Sequence, residues 1–360
     1  MLNTIRRSLS VPFSRGIKTV TVGGVNETII QRSDYPIEKC REILKDETIS
    51  IIGYGPQGQG QSLNLRDGGI NVNIGVRKGP SFYKALEDGW VEGENLFSIE
   101  EAAERGTVIQ YLLSDGAQMS QWYKVEPHLT KNKMLYFSHG FGVTFKNKTK
   151  IVPPKDVDVV LVAPKGAGST VRREFLRGNG INVSYAIDQD HSGEAKDKCL
   201  ALAFGIGAGH AFETDFEKEV LSDLTGERCV LMGMIQGAFL AQYNVLREKG
   251  HLPSEAYNET VEEALVSLYP LISEKGMDWL YANCSTTAQR GAIDWAPRFE
   301  EVLKPVIEDC YDSVKSGKET DIVLEKSNDP DYREKLNAEL EEIHSQELWE
   351  AGRVFRELRP

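Results

Sequence analysis

Residues 48–52 (TISII) form a continuous apolar run that ends on glycines, the pattern of a strand buried on both faces. A helix is expected from there through Arg66, stopped by Asp67-Gly68-Gly69. Apolar runs at 71–76 (NVNIGV), 108–113 (VIQYLL), 134–137 (MLYF) and 158–162 (DVVLV) repeat the theme, with acidic or amphipathic helical stretches such as 98–105 and 117–129 between them. Strands alternating with helices predict a parallel, doubly wound sheet, with 182–186 (NVSYA) as its last strand. After about residue 193 the strand signals fade. Helix-compatible runs follow at 193–209, 213–223, 228–249, 254–275, 277–290, 297–316 and 331–356. The pattern predicts an α/β domain over 27–208 and an all-helical domain over 209–360. Met232, Met234, Phe239 and Tyr243 fall at helical spacing and are expected in the helical core.

The first strand runs into Gly53-Tyr54-Gly55-Pro56-Gln57-Gly58, a G-x-G-x-x-G between a strand and a helix. In that context Gly53 permits the turn, Gly55 lets the backbone approach a diphosphate, and Gly58 lets helix and strand pack. The open N–H groups and the helix dipole favour the anion. The reading is therefore a Rossmann-like dinucleotide site. NAD sites place an acid at the end of the next strand, where it binds the ribose hydroxyls. This chain has Val76-Arg77-Lys78-Gly79-Pro80-Ser81 there instead. Arg77 can form a fork with a 2′-phosphate, and Lys78 and Ser81 can assist, so NADPH is expected over NADH.

At 360 residues, 40% of them hydrophobic, the chain can build two cores without disulfide staples. A net charge of −12 repels phosphodiester backbones and argues against nucleic acid as the main partner. No apolar run approaches the length of a membrane span, so no membrane partner is expected. The five cysteines include no C-x-x-C pair and are expected as free thiols. Residues 1–26 contain Arg6, Arg7, Arg15 and Lys18 but no acid, with Ser8, Ser10 and Ser14 among apolar residues. That composition fits a mitochondrial transit peptide; its removal would take the net charge to −16.

In the helical half, Asp223 and Glu227 lie at i, i+4, as do Glu259 and Glu263. This spacing points two carboxylates along one helix face. Exposed like charges so placed destabilise a helix slightly, but facing a pair of hard cations they become ligands, and oxygen donors suit Mg²⁺. Spacing alone leaves Glu262 nearly as good a candidate as Glu263. A solvated acidic face accounts for the same pattern.

Together the motifs resemble the ketol-acid reductoisomerase family, in its fungal mitochondrial form. The likeness is collinear through GYGPQGQGQSLNLRDGG (53–69), VRKG (76–79), FSHGF (137–141), VAPKGAGSTVRREF (162–175), SDLTGER (222–228), NETVEEA (258–264) and CSTTAQRG (284–291). The resemblance implies a knotted helical domain and an Mg²⁺-dependent alkyl shift of 2-acetolactate or 2-aceto-2-hydroxybutyrate. Reduction by NADPH to 2,3-dihydroxy acids of valine and isoleucine synthesis would follow, in the mitochondrial matrix. It also implies that Asp223 bridges two Mg²⁺ ions, that Glu227 completes the shell of the first, and that Glu259 and Glu263 surround the second. Ser285 would bind the substrate carboxylate, and His139 and Lys165 would line the site near the nicotinamide, with Glu263 a candidate base. A homodimer or higher homo-oligomer would share each site between chains. The loop after Arg77 is one residue shorter than in the family's fungal members. Two other functions fit the domain layout alone. One is an NADP-dependent hydroxyacid dehydrogenase with Lys165 as its acid; the other is a non-catalytic dinucleotide sensor.

Overall fold

The computed structural model describes residues 18–359. Contacts divide the chain into two compact units, Met1–Val220 and Leu221–Pro360.

The first unit is built on a ten-stranded sheet. In chain order its strands are β1 (Lys18–Val22), β2 (Val25–Gln31), β3 (Ile49–Ile52), β4 (Val72–Gly75), β5 (Leu96–Phe97), β6 (Val108–Tyr111), β7 (Met134–Phe137), β8 (Asp158–Pro164), β9 (Val183–Gln189) and β10 (His210–Glu213). Across the sheet they run β1-β2-β10-β9-β8-β7-β6-β3-β4-β5. From β8 to β5 every pairing is parallel, and β3, β4, β6 and β7 are buried at every position. The expected doubly wound core is therefore present, with two apolar clusters, one including Ile49, Ile51 and Ile74 and the other Ile109, Leu135 and Leu161.

The sheet differs from expectation at its other end. It is mixed, not wholly parallel: β9 runs antiparallel to β8, with Pro164 opposite Val183, because the chain returns to the same edge before re-entering the sheet. β9 is not the last strand, since β10 pairs parallel to it. β10 therefore belongs to the first unit, which ends at Val220. β2 closes on β10 and β1 on β2, both antiparallel. The β1–β2 hairpin overlaps the expected leader, because Lys18 pairs with Ile29 and Val22 with Val25. The leader's first 17 residues lie outside the described residues.

Two helices packed on this sheet meet at glycines. A Cβ on Gly168, which opens the helix Gly168–Leu176, would stand 2.0 Å from the Pro56 carbonyl oxygen, and one on Gly60 would stand 2.4 Å from the Gly168 oxygen. Arg172 seals the same contact, donating to Asn64 Oδ1 (2.9 Å) and Asp67 Oδ2 (2.7 Å). The motif at 162–175 thus supports the dinucleotide loop from below.

The second unit is helical throughout its described residues. Its core gathers Phe239, Tyr243, Ala256, Tyr257, Val261 and Leu348, with Tyr257 stacked on Phe355 at 5.3 Å. Met232 was expected in that core but is 56% exposed. The helix is broken at Cys229 (φ −95°, ψ −119°), so Met232 falls outside the register that buries Phe239 and Tyr243. By length and the mean hydropathy (1.4) of its most apolar window, Phe216–Glu248 is long and apolar enough to cross a membrane, contrary to the expectation that no stretch of the chain is. The helix Thr286–Lys315 carries an exposed stripe of Trp295, Phe299, Val302 and Val306.

Gly168→Ala should lower stability by about 1–3 kcal/mol, read as an earlier urea midpoint. An unchanged midpoint would mean the two helices do not meet there.

Candidate active site

Because β3, β4, β6, β7 and β8 are parallel, their C-terminal ends open on one edge of the sheet. The chain leaves β3 toward β4 on one side and returns as β6 on the other. Ligands bind at such a switch point.

The loop after β3 has the geometry expected of it. Gly53 adopts φ +107°, and a Cβ there would stand 2.8 Å from the Leu112 oxygen. A Cβ on Gly58 would stand 2.2 Å from the Gly53 oxygen, whereas one on Gly55 would meet nothing within 4 Å. The loop is thus pressed onto the sheet at both ends and open at Gly55, where the helix Pro56–Asp67 begins.

Two predicted cofactor side chains are committed elsewhere. Tyr54 is buried, its hydroxyl donating to Asp88 Oδ2 (2.9 Å) and accepting from Trp90 Nε1 (2.9 Å). Gln57 donates to the Gly166 oxygen (3.0 Å) and accepts from Gln61 Nε2 (3.0 Å). Only their backbones are open to a diphosphate. Sequence reasoning passed over Gln61, which is fully buried and joins its own helix to the end of β7: it meets Gln57, Ser138 Oγ (2.8 Å) and Tyr136, whose hydroxyl donates to Gln61 Oε1 (2.9 Å). It also passed over Asp88, which accepts from Gln59 Nε2 (2.6 Å) as well as Tyr54. Burial alone would raise the Asp88 pKa, but those two donors and the Lys84 ammonium outweigh it and hold the carboxylate below its ordinary range.

After β4, Arg77, Lys78 and Ser81 are all exposed. Arg77 makes no ion pair among the described residues. Lys78 pairs with Glu92 at 2.5 Å and lies 4.4 Å from the Phe82 ring centroid. Ser81 sits in the first turn of the helix Pro80–Glu87, which has no acid there.

His139 and Lys165 follow β7 and β8 directly, and the structure brings both to one buried carboxylate. Glu219 lies with Oε2 3.3 Å from His139 Nδ1 and Oε1 3.5 Å from Lys165 Nζ, and its Oε2 accepts from the Gly140 N–H (3.1 Å). At 2% exposure, desolvation works to raise its pKa. The hydrogen bond with His139, the charges of His139 and Lys165, and the Gly140 N–H more than offset this and lower it. Glu219 was not predicted. The signal was present, since Glu219, Asp223 and Glu227 recur at i, i+4, i+8.

Asp223 follows Glu219 by one turn on the helix Phe216–Gly226, and Glu227 opens a wide π-type turn, Glu227–Leu231. Glu259 and Glu263 are both exposed, on π-type turns beginning at Asn258. Between Glu263 and Glu262 the structure discriminates: both oxygens of Glu262 accept from Arg359 (2.9 and 2.7 Å), which holds its pKa below the ordinary value. Ser285 caps the helix Thr286–Lys315, accepting from the Ala288 N–H at 3.2 Å.

A dinucleotide fold with a glycine turn, and a lysine and a histidine gathered on one buried carboxylate at the strand ends, defines a nicotinamide-dependent oxidoreductase. Two family profiles match: acetohydroxy acid isomeroreductase, NADPH-binding domain, over 43–211, and ketol-acid reductoisomerase, C-terminal domain, over 216–360. The mitochondrial ketol-acid reductoisomerase of Neurospora crassa is 57% identical over 96% of this chain and 86% of its own. That of Saccharomyces cerevisiae is 57% identical over 96% and 88%. A solved NADH-preferring ketol-acid reductoisomerase from an uncultured archaeon superposes with a TM-score of 0.82 at 33% identity, over 92% of this chain and 99% of that one. The chain belongs to the ketol-acid reductoisomerase family, an oxidoreductase and isomerase using a nicotinamide cofactor. Family membership sets aside the hydroxyacid dehydrogenase and the sensor.

Asp88→Asn should cost about 1–2 kcal/mol at pH 7 and weaken dinucleotide binding by loosening Tyr54 and Gln59. Because the folded pKa is depressed, the stability this charge contributes is complete above the unfolded value near about 4 and lost as pH falls through the folded one. Urea titrations should therefore show the variant and native chain converging below that pH; a constant gap would deny the carboxylate this role.

Proposed function

We propose that the chain converts 2-acetolactate or 2-aceto-2-hydroxybutyrate to the 2,3-dihydroxy acid, by Mg²⁺-dependent alkyl migration and then reduction by NADPH. The observation that carries this reading is Glu219, which gathers His139 and Lys165 at the strand ends and sits one helical turn before Asp223.

The residues suit both groups. Gly55 leaves the first N–H groups of the helix Pro56–Asp67 open to a diphosphate. Arg77, unpaired by any acid among the described residues, supports the 2′-phosphate and hence NADPH. Asp223, Glu227, Glu259 and Glu263 offer only hard oxygen donors, as Mg²⁺ requires. The fork that Glu262 makes with Arg359 supports Glu263 over Glu262 in that set. When bound, two Mg²⁺ ions supply Lewis acidity to both vicinal oxygens of the substrate, and NADPH supplies the hydride.

Each side chain then has a task. Asp223, Glu227 and Glu259 would hold the two ions. Glu263 takes the proton from the tertiary hydroxyl. Lys165 Nζ and His139, held by Glu219, present N–H donors to the oxygen that gains charge during reduction. The Ser285 hydroxyl accepts from the Ala288 N–H and keeps its proton for the substrate carboxylate, which also faces a helix N-terminus.

Asp223→Asn should reduce conversion of 2-acetolactate at least 100-fold while NADPH still binds, read by NADPH oxidation and by direct titration. Exhaustive chelation of the native enzyme should do the same. Undiminished turnover in either case would sink the metal mechanism.

The stripe Trp295, Phe299, Val302, Val306 recurs at spacings of 4, 3 and 4 on the helix Thr286–Lys315, with exposures of 55–63%. Such a stripe suits a helix of a second copy better than water. The stripe supports the homodimer or higher homo-oligomer that the resemblance implies, with each site shared between chains. Phe299→Glu should shift the enzyme to monomer in sedimentation velocity and abolish turnover together; a fully active monomer would refute the shared site. The mitochondrial relatives and the acid-free, arginine-bearing segment 1–26 support action in the mitochondrial matrix, which fractionation of the expressing cells would contradict if the enzyme stayed in the cytosol.

A further inference from the structure

The phosphate-discriminating loop contains two cations, but the structure leaves them in different states. Lys78 is drawn to Glu92 (2.5 Å) and across the Phe82 ring (4.4 Å), while Arg77 is exposed and pairs with no acid among the described residues. Lys124, the other cation whose field reaches Arg77, is itself paired with Glu100 at 2.8 Å.

Glu92 is not a loosely placed surface acid. It lies in a hydrogen-bonded turn entering β5. Asn95 Oδ1 accepts from the Val91 N–H (2.7 Å), the Glu94 N–H donates to the Val91 oxygen (3.1 Å), and Gly93 takes φ +81°. Glu92 itself bridges Leu96 on β5, and β5 pairs with β4, the strand that ends two residues before Arg77. The turn therefore delivers a carboxylate to the mouth of the 2′-phosphate position. No acid occupies the first turn of the neighbouring helix Pro80–Glu87, so Glu92 is the acid that pairs with Lys78.

We infer that Glu92 is a specificity-determining residue: by neutralising Lys78 it leaves Arg77 as the one uncommitted cation for the 2′-phosphate, and so narrows the enzyme's preference for NADPH over NADH. This rests on the proposed assignment of Arg77 to that phosphate. The physics is a competition between two anions for one ammonium. A dinucleotide phosphate must displace Glu92 before it can use Lys78, whereas NADH asks nothing of either group. Both partners are more than half exposed, so the effect is modest and salt-sensitive.

The test is direct titration of the full-length enzyme with NADPH and with NADH at low ionic strength. Glu92→Gln should tighten NADPH about threefold and leave NADH unchanged. Adding Lys78→Ala should erase the gain, because Glu92 acts only through Lys78. Arg77→Ala should weaken NADPH selectively. If Arg77→Ala is selective but Glu92→Gln moves neither cofactor, or moves both equally, Glu92 has no such role and the Arg77 assignment stands. If Arg77→Ala weakens both cofactors alike, the phosphate assignment falls and this inference falls with it.

Discussion

The arrangement turns on one buried carboxylate. Glu219 is removed from water, a state that costs several kcal/mol unless donors replace the lost hydration. They come from the ends of two different strands: His139 and the Gly140 N–H after β7, Lys165 after β8. Satisfying that one charge fixes where both loops go and seats the helix Phe216–Gly226 against the sheet edge. The same helix continues to Asp223, so the requirement that places a lysine and a histidine also sets the register of that acid, one turn on.

Support for the cofactor loop is of a different kind, being steric before it is electrostatic. Gly53 and Gly58 let the turn collapse onto itself, and Gly60 and Gly168 let the next helix reach it from below. Polar groups then lock what the glycines permit. Gln61 ties the helix after the loop to Ser138, next to His139, and Asp88 holds the loop's Tyr54 together with Gln59. Dinucleotide loop and candidate catalytic loop thereby share one buried network, and a disturbance in either reaches the other.

Oxygen ligands were recognisable by type but not by membership. Glu262, as well spaced as Glu263, is held by Arg359 from the far end of the chain. Tyr54 and Gln57 belong to the dinucleotide motif, yet their side chains turn inward. Sequence spacing reports which residues share a face; it carries no information on which partner from elsewhere has already claimed them.

By itself the sequence determined what local pattern can encode: the buried parallel strands, the glycine turn with its helix, the helical character of the second half, and the family, through motifs in order. Tertiary structure alone decided the antiparallel turn of β9, the extra strand β10 and the hairpin of residues 18–31, because strand direction and edge pairing depend on distant segments. It alone separated Arg77 from Lys78, and Glu263 from Glu262. Each of those distinctions rests on a charge that arrives from another part of the chain, and an ion pair formed across a fold leaves no trace in the spacing of either partner.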